Sequence, residues 1–144
     1  MSVCADTGFI VKLYLKEANS PQALALLASL SPPIFVTTWH VLEVSNAIQR
    51  AVFVGGITPA QASQLLSIFD SDLRNGVFNL VEIDHDAVLE LARRLTLNHT
   101  PVIGTRSLDV LHVASAIELE ATDFVSFDQR QRDAAKAEGL NILP

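Results

Sequence analysis

The chain has 144 residues, 49% of them hydrophobic, and a formal net charge of −6. Its mean hydropathy of +0.33 is high for a soluble protein, yet no apolar run approaches the roughly 20 residues that a membrane-spanning helix needs. The acidic balance argues against broad electrostatic capture of nucleic acid, although an acidic site that binds metal would hide part of that charge.

The length suits one domain, residues 1–144, with a sizeable core. Met1-Ser2-Val3-Cys4-Ala5-Asp6 lacks the basic start of a signal peptide, so a cytoplasmic protein is expected. Val3-Cys4-Ala5 reads as a short buried strand ending at Asp6, with Cys4 as an inert core thiol. Thr7-Gly8 turns the chain into a helix from Phe9 to Glu17. Ser20-Pro21, an N-cap followed by proline, opens a second helix from Gln22 to Leu30, which Pro32-Pro33 ends. Ile34 to Thr37 forms the second strand, and Thr38 is placed to cap a helix from Trp39 to Val54. That helix carries a polar stripe of Glu43, Asn46 and Arg50 and stops at Gly55-Gly56.

Thr58-Pro59 starts a helix reaching about Arg74, with Ala62, Leu65, Leu66, Phe69 and Leu73 at amphipathic spacing. Asn75-Gly76 breaks it, and Phe78 to Ile83 forms the third strand. Asp84 caps a helix from His85 to about Leu97, and a polar loop from Asn98 to Arg106 follows. The next helix is apolar nearly all round, with Leu108, Leu111, Ser115 and Leu119 on one face, and so belongs inside the molecule. Yet it carries Asp109 in its first turn, and the β-type run from Asp123 to Phe127 ends directly on Asp128. A polar helix to Glu138, Gly139 and a short strand, Asn141-Ile142-Leu143, complete the chain.

Short apolar strands alternating with helices indicate a parallel sheet covered on both faces. In such sheets the ligand crevice lies beyond the carboxyl ends of the strands. Asp6 and Asp128 end the first and fourth strands, Glu43 lies in the second turn after the second, and Asp109 begins the helix before the fourth. All four acids are therefore expected at one edge of the sheet. Converging carboxylates repel one another unless a proton or a cation intervenes. Hard divalent ions suit oxygen donors of this kind, and an ion held there stabilises charge in phosphodiester displacement and acidifies water. Asp84 and Asp86 have the simpler reading of helix-start acids, and Asp109 and Asp128 taken singly share it.

Asp6-Thr7, Glu43-Val44-Ser45-Asn46-Ala47, Leu108-Asp109-Val110-Leu111-His112-Val113-Ala114 and Phe124-Val125-Ser126-Phe127-Asp128 together resemble the PIN domain, from Val3 to Leu143. The resemblance implies a Rossmann-like parallel sheet of about five short strands flanked by about seven helices. It also implies a metal-dependent nuclease, specifically a VapC-like toxin ribonuclease of a type II toxin–antitoxin system, with RNA as substrate. A small antitoxin and a homodimer are the protein partners it implies. Asp6 and Asp109 would be the main Mg²⁺ ligands, with Mn²⁺ able to substitute, while Asp128 and Glu43 complete the acidic site directly or through water. Thr7 and Ser126 stand where the family favours hydroxyl residues, the latter more often a threonine in the family. Asn46 would orient the site from behind the ligands, and His112 is expected to pack or support rather than to act as a base.

Lys12, Lys16, Arg50, Arg106, Arg130 and Arg132 lie on elements that flank the expected edge and are candidates for phosphate contacts. No aromatic platform for stacked bases stands out, and the apolar face of the helix from Ala60 to Leu73 is available to the core, a homodimer or an antitoxin. A catalytically silent interaction module of the same fold is the main alternative. A receiver-type phosphoacceptor is disfavoured because Asp6 has no acidic neighbour, and a nicotinamide enzyme because Thr7-Gly8-Phe9 is not a glycine-rich phosphate loop.

Overall fold

The computed structural model describes every residue except Met1 and Pro32. Pro32, one of the two prolines expected to end the second helix, therefore lies outside the described residues. In chain order the elements are β1 (Val3–Ala5), α1 (Thr7–Tyr14), α2 (Ser20–Ser29), β2 (Ile34–Val36), α3 (Thr38–Phe53), α4 (Pro59–Arg74), β3 (Phe78–Leu80), α5 (His85–Ile103), α6 (Ser107–Glu118), β4 (Asp123–Val125), α7 (Gln129–Ala137) and β5 (Asn141–Leu143). The five strands form one sheet in the order β3-β2-β1-β4-β5. Every pairing is parallel, with Cys4 opposite Phe35 on one side and Phe124 on the other.

Strand pleating divides the core in two. Val3, Ala5 and Val125 point to one face, where they pack with Phe9, Ile10, Val44, Ile48, Ala62 and Phe69 from α1, α3 and α4. Cys4 and Phe124 point to the other, against Val88, Leu95, Val110, Val113 and Ala134 from α5, α6 and α7. Successive side chains on a strand face opposite sides, so a three-residue strand in mid-sheet anchors both layers. Each fully buried Phe, Ile, Leu or Val contributes about 1.5–3 kcal/mol. Cys4 is buried in this core, and burial pushes its thiol up to about 12, as an inert core thiol requires.

β1 is the central strand, and the chain leaves it toward β2 on one side and meets β4 on the other. The reversal of winding direction opens a crevice at the carboxyl ends of β1 and β4. Asp6 follows β1 directly. Asp128 stands three residues beyond β4, because the strand ends at Val125 and not at Phe127.

Helix ends account for most departures from the sequence reading. The second helix begins at Ser20, preceded by Asn19 at φ 68, so Ser20 is not its cap; its hydroxyl instead donates to the Leu15 carbonyl at 3.1 Å. Thr37, not Thr38, is the boundary residue of α3, because the His40 ring accepts the Thr37 backbone N–H at 3.0 Å. The third strand is shorter than expected and ends at Leu80. Residues 98–103, expected in a loop, continue α5 through Pro101 to the left-handed Gly104. Proline removes one helical donor, but the segment is fastened elsewhere: His99 Nε2 lies 2.7 Å from Glu138 Oε1, and the Thr100 and Thr105 hydroxyls are 2.7 Å apart. Leu108, expected on a packed face, is 48% exposed; the buried side of α6 runs through Asp109, Val110, His112 and Val113. No helix among the described residues is long and apolar enough to cross a membrane.

Candidate active site

Asp6 is fixed from two directions. Its Oδ1 accepts the Phe9 backbone N–H at 2.7 Å, which caps α1, and its Oδ2 accepts the Ser126 hydroxyl at 2.6 Å. The side chain is 2% exposed. Burial pushes the Asp6 carboxyl above the ordinary carboxylate range, against the Ser126 and Phe9 hydrogen bonds that favour its charged form. Ser126 Oγ also accepts the Asp128 backbone N–H at 3.0 Å. One buried hydroxyl thus ties the acid after β1 to the acid after β4.

Glu43 reaches the same place from the second turn of α3. Its Oε1 lies 2.7 Å from His112 Nε2 and 3.2 Å from the Thr7 hydroxyl, and Thr7 is itself 3.1 Å from His112 Nε2. With a carboxylate as acceptor, Nε2 carries a proton and donates. His112 Nδ1 is buried without a partner among the described residues. Behind it His40 packs at a tilt of 51° with ring centroids 4.5 Å apart, its Nε2 donating to the Ala5 carbonyl at 2.8 Å. Burial first, and then the neighbouring His112, lower the His40 pKa to about 3 against the hydrogen bond to Ala5, so this ring is neutral.

Asp109, the third residue of α6, is 2% exposed. Its Oδ2 accepts the Arg106 backbone N–H at 2.8 Å, and the Arg106 guanidinium folds over the same carboxylate, Nε to Oδ2 at 3.1 Å and Nη2 to Oδ1 at 3.2 Å. Gln131 Nε2 donates to Asp109 Oδ1 at 3.2 Å, leaving Gln131 Oε1 buried without a partner among the described residues. Asp128 caps α7 through Oδ1, which accepts Arg130 N at 2.9 Å, while its Oδ2 lies 3.3 Å from Arg106 Nη2. Arg106 thereby bridges the two acids contributed by α6 and by the turn after β4.

These side chains line one cleft of about 1020 Å³, with Asn46 and Arg50 from α3 and Lys12 from α1 also on its walls. All seven residues singled out in the sequence for the site are there: Asp6, Thr7, Glu43, Asn46, Asp109, Ser126 through its bond to Asp6, and Asp128. Asn46 is exposed. Of the six candidate phosphate cations, Lys12, Arg50 and Arg106 line the cleft. Arg132 is spent on backbone carbonyls, Nη1 to Ser126 at 2.8 Å and Nη2 to Pro144 at 3.0 Å. Gln131 escaped the sequence reading; the signal for it is its place three residues after the capping Asp128, which turns it inward.

Among the described residues, no three His, Cys, Asp or Glu side chains are grouped as a ready-made cage for an ion. The donor chemistry nonetheless fits a hard cation, since Mg²⁺ needs only one or two carboxylates with waters and phosphate oxygens. The bridging guanidinium is direct evidence that the Asp109–Asp128 pair accepts a shared positive charge.

An all-parallel α/β sheet with an acid-lined crevice at its switch point defines a class of protein before any comparison. The PIN domain model matches residues 3–137, and the chain belongs to the PIN domain family. Similar solved structures include the sarcin–ricin-loop-cleaving toxin VapC20 of Mycobacterium tuberculosis, 19% identical, with 99% of this chain and 100% of that one covered at a TM-score of 0.72. VapBC2 of Rickettsia felis bound to a promoter DNA fragment is 16% identical, with 99% and 98% covered at a TM-score of 0.68. A toxin–antitoxin complex of Klebsiella pneumoniae is 15% identical, with 99% and 97% covered at a TM-score of 0.66. At these identities the likeness shows the fold. No curated protein matched the chain.

Proposed function

We propose that the chain acts as a single PIN domain that hydrolyses RNA phosphodiester bonds in a divalent-metal-dependent manner, as the toxin of a toxin–antitoxin pair. The observation that carries this reading is the arrival of Asp6, Glu43, Asp109 and Asp128 in one cleft from four separate parts of the sequence. Family membership supports a nuclease, and the toxins and toxin–antitoxin complexes among the similar structures support the biological setting.

In this reading Asp6, Asp109 and Asp128 hold the ion, Mg²⁺ with Mn²⁺ as substitute. A bound ion of this type supplies charge stabilisation on the phosphodiester and acidifies water. Glu43 has Oε1 held by His112 and Thr7, which leaves Oε2 to accept a proton from water or orient it. Ser126 fixes the spacing between the Asp6 carboxylate and the Asp128 backbone. Lys12 and Arg50 on the cleft wall supply positive charge toward the RNA backbone. A small antitoxin, a homodimer and a cytoplasmic location belong to the same proposal.

The test is cleavage of a labelled single-stranded RNA with Mn²⁺ and with chelator, using wild type and Asp109→Asn. The reading expects metal-dependent cleavage that the well-folded variant lacks; equal cleavage by both proteins overturns it. The guanidinium lying across Asp109 and Asp128 favours one rival, a silent PIN-fold interaction module whose acids are neutralised from within. Calorimetry that detects no divalent-ion binding decides for that rival.

A further inference from the structure

Arg106 is the feature of the cleft that the proposed function does not use. It makes three contacts to carboxylates, two to Asp109 and one to Asp128, all through Nε and Nη2. Nη1 has no hydrogen bond among the described residues. The guanidinium sits at the mouth of the cleft, its side chain 63% exposed, while the Asp109 carboxylate beneath is almost wholly buried. The backbone of Arg106 is pinned by its own N–H to Asp109 Oδ2 at 2.8 Å. A fixed backbone with a long, solvated side chain leaves the charged head free to choose between partners without disturbing the helix start.

A guanidinium and a divalent ion at one pair of carboxylates repel each other and compete for the same oxygens. The oxygens that Arg106 occupies, Asp109 Oδ1 and Oδ2 and Asp128 Oδ2, are those that a hard ion in this cleft would need. Were an ion held there, the guanidinium would be repelled and would lose acceptors to it. The displaced fork, with five donors and no acceptor, then needs an anion, and its planar geometry matches two oxygens of a phosphate. Exposure keeps its grip on the acids weak, as an exchangeable contact requires.

Resting on the proposed metal-dependent reading of the site, we infer that Arg106 is an exchangeable cation: without an ion it offsets one of the two negative charges of Asp109 and Asp128 and, once an ion displaces it, binds a backbone phosphate of the RNA. It is therefore both a brake on ion uptake and a substrate-binding residue. Among the described residues Lys12 and Arg50 make no such contact with these two acids, and Arg130 reaches only Asp128, Nε to Oδ1 at 3.7 Å, so it is Arg106 that spans the pair.

The experiment is calorimetric titration of Mn²⁺ alone into wild type and Arg106→Gln, followed by cleavage kinetics on a labelled oligoribonucleotide at saturating Mn²⁺. Thermal melts in chelator check that both proteins are folded, with Arg106→Lys as the charge-conserving comparison. Losing the competing charge should tighten Mn²⁺ binding by about threefold to fivefold, and losing the phosphate contact should raise KM several-fold, with Arg106→Lys between the two in both readouts. Wild type that binds Mn²⁺ as tightly as Arg106→Gln overturns the exchange, and an unchanged KM overturns the phosphate role. Uptake by Arg106→Gln alone supports the brake in its strongest form. If neither protein takes up Mn²⁺, the metal-dependent reading falls and this inference with it.

Discussion

Asp6→Asn should separate folding from function with opposite signs. The Asp6 carboxylate is buried, and its raised pKa means that desolvation outweighs the Ser126 and Phe9 hydrogen bonds in the charged form. A neutral side chain of the same shape removes that burial penalty, several kcal/mol for an ion in a real protein interior, and removes repulsion from Asp128. It gives up one charge-assisted bond from Ser126, worth about 1.5–3 kcal/mol, since the hydroxyl must turn round to accept from the new amide. The Phe9 N–H keeps its oxygen. In chelator the variant should therefore be as stable as wild type, or more stable by about 1–2 kcal/mol. With Mn²⁺ at a hundred times its dissociation constant, wild type should gain about 2.7 kcal/mol by mass action and the variant much less. Urea unfolding of both proteins with and without Mn²⁺ reads all four values, and RNA cleavage is followed alongside. A loss above about 2 kcal/mol in chelator would mean that the carboxylate is structural; an equal gain from Mn²⁺ would mean that it is not a ligand. Either result refutes the reasoning.

Ser126→Ala removes the donor to Asp6 and the acceptor for the Asp128 N–H in a fully buried site; equilibrium unfolding should show a loss of about 2–4 kcal/mol, with cleavage falling as well. Gly8→Ala places a Cβ 3.5 Å from Asp6 Oδ2, an ordinary contact in the first turn of α1. The melting temperature should hold or rise, from about 0.8–1 kcal/mol of helix propensity, while Mn²⁺ affinity measured by calorimetry drops because the added methyl fills space beside Asp6 Oδ2 that an ion and its waters would need. His40 has a folded pKa near 3 against an ordinary 6.5, so between those values the unfolded chain binds the extra proton. Its contribution to stability is then complete above pH 6.5 and is lost as pH falls toward 3, a loss on the order of 5 kcal/mol. Urea unfolding across that window should show a steeper decline for wild type than for His40→Gln; parallel profiles would contradict the assignment.

Periodicity and capping chemistry were enough to place the strands and helices in the right order, because each buried strand and each amphipathic helix carries its own signal. Thr58-Pro59 and Asp84 mark their helix starts correctly, and the four acids were legible because each interrupts an apolar element. What escaped was either unusual local chemistry or tertiary contact. The His40 ring that takes the Thr37 N–H makes a capping box in which histidine stands where Glu or Gln is the usual mark, whereas the His99–Glu138 contact that helps to hold α5 helical through Pro101 joins residues far apart in the chain. Gln131 looks like any polar residue of a solvated helix until the Asp128 cap aims it at Asp109. Arg106 was readable as a cation near the edge, but its placement across Asp109 and Asp128 depends on a loop, a helix start and a strand end meeting in space.

The central claim is that this acid-lined crevice is an ion site. It is tested most directly by growing crystals of the wild-type protein in Mn²⁺ and measuring anomalous scattering. A peak is expected within about 2.0–2.2 Å of Asp6 and Asp109 oxygens, with the Arg106 guanidinium withdrawn from Asp109. A map with no peak in the crevice, and Arg106 still across Asp109 and Asp128, would contradict it.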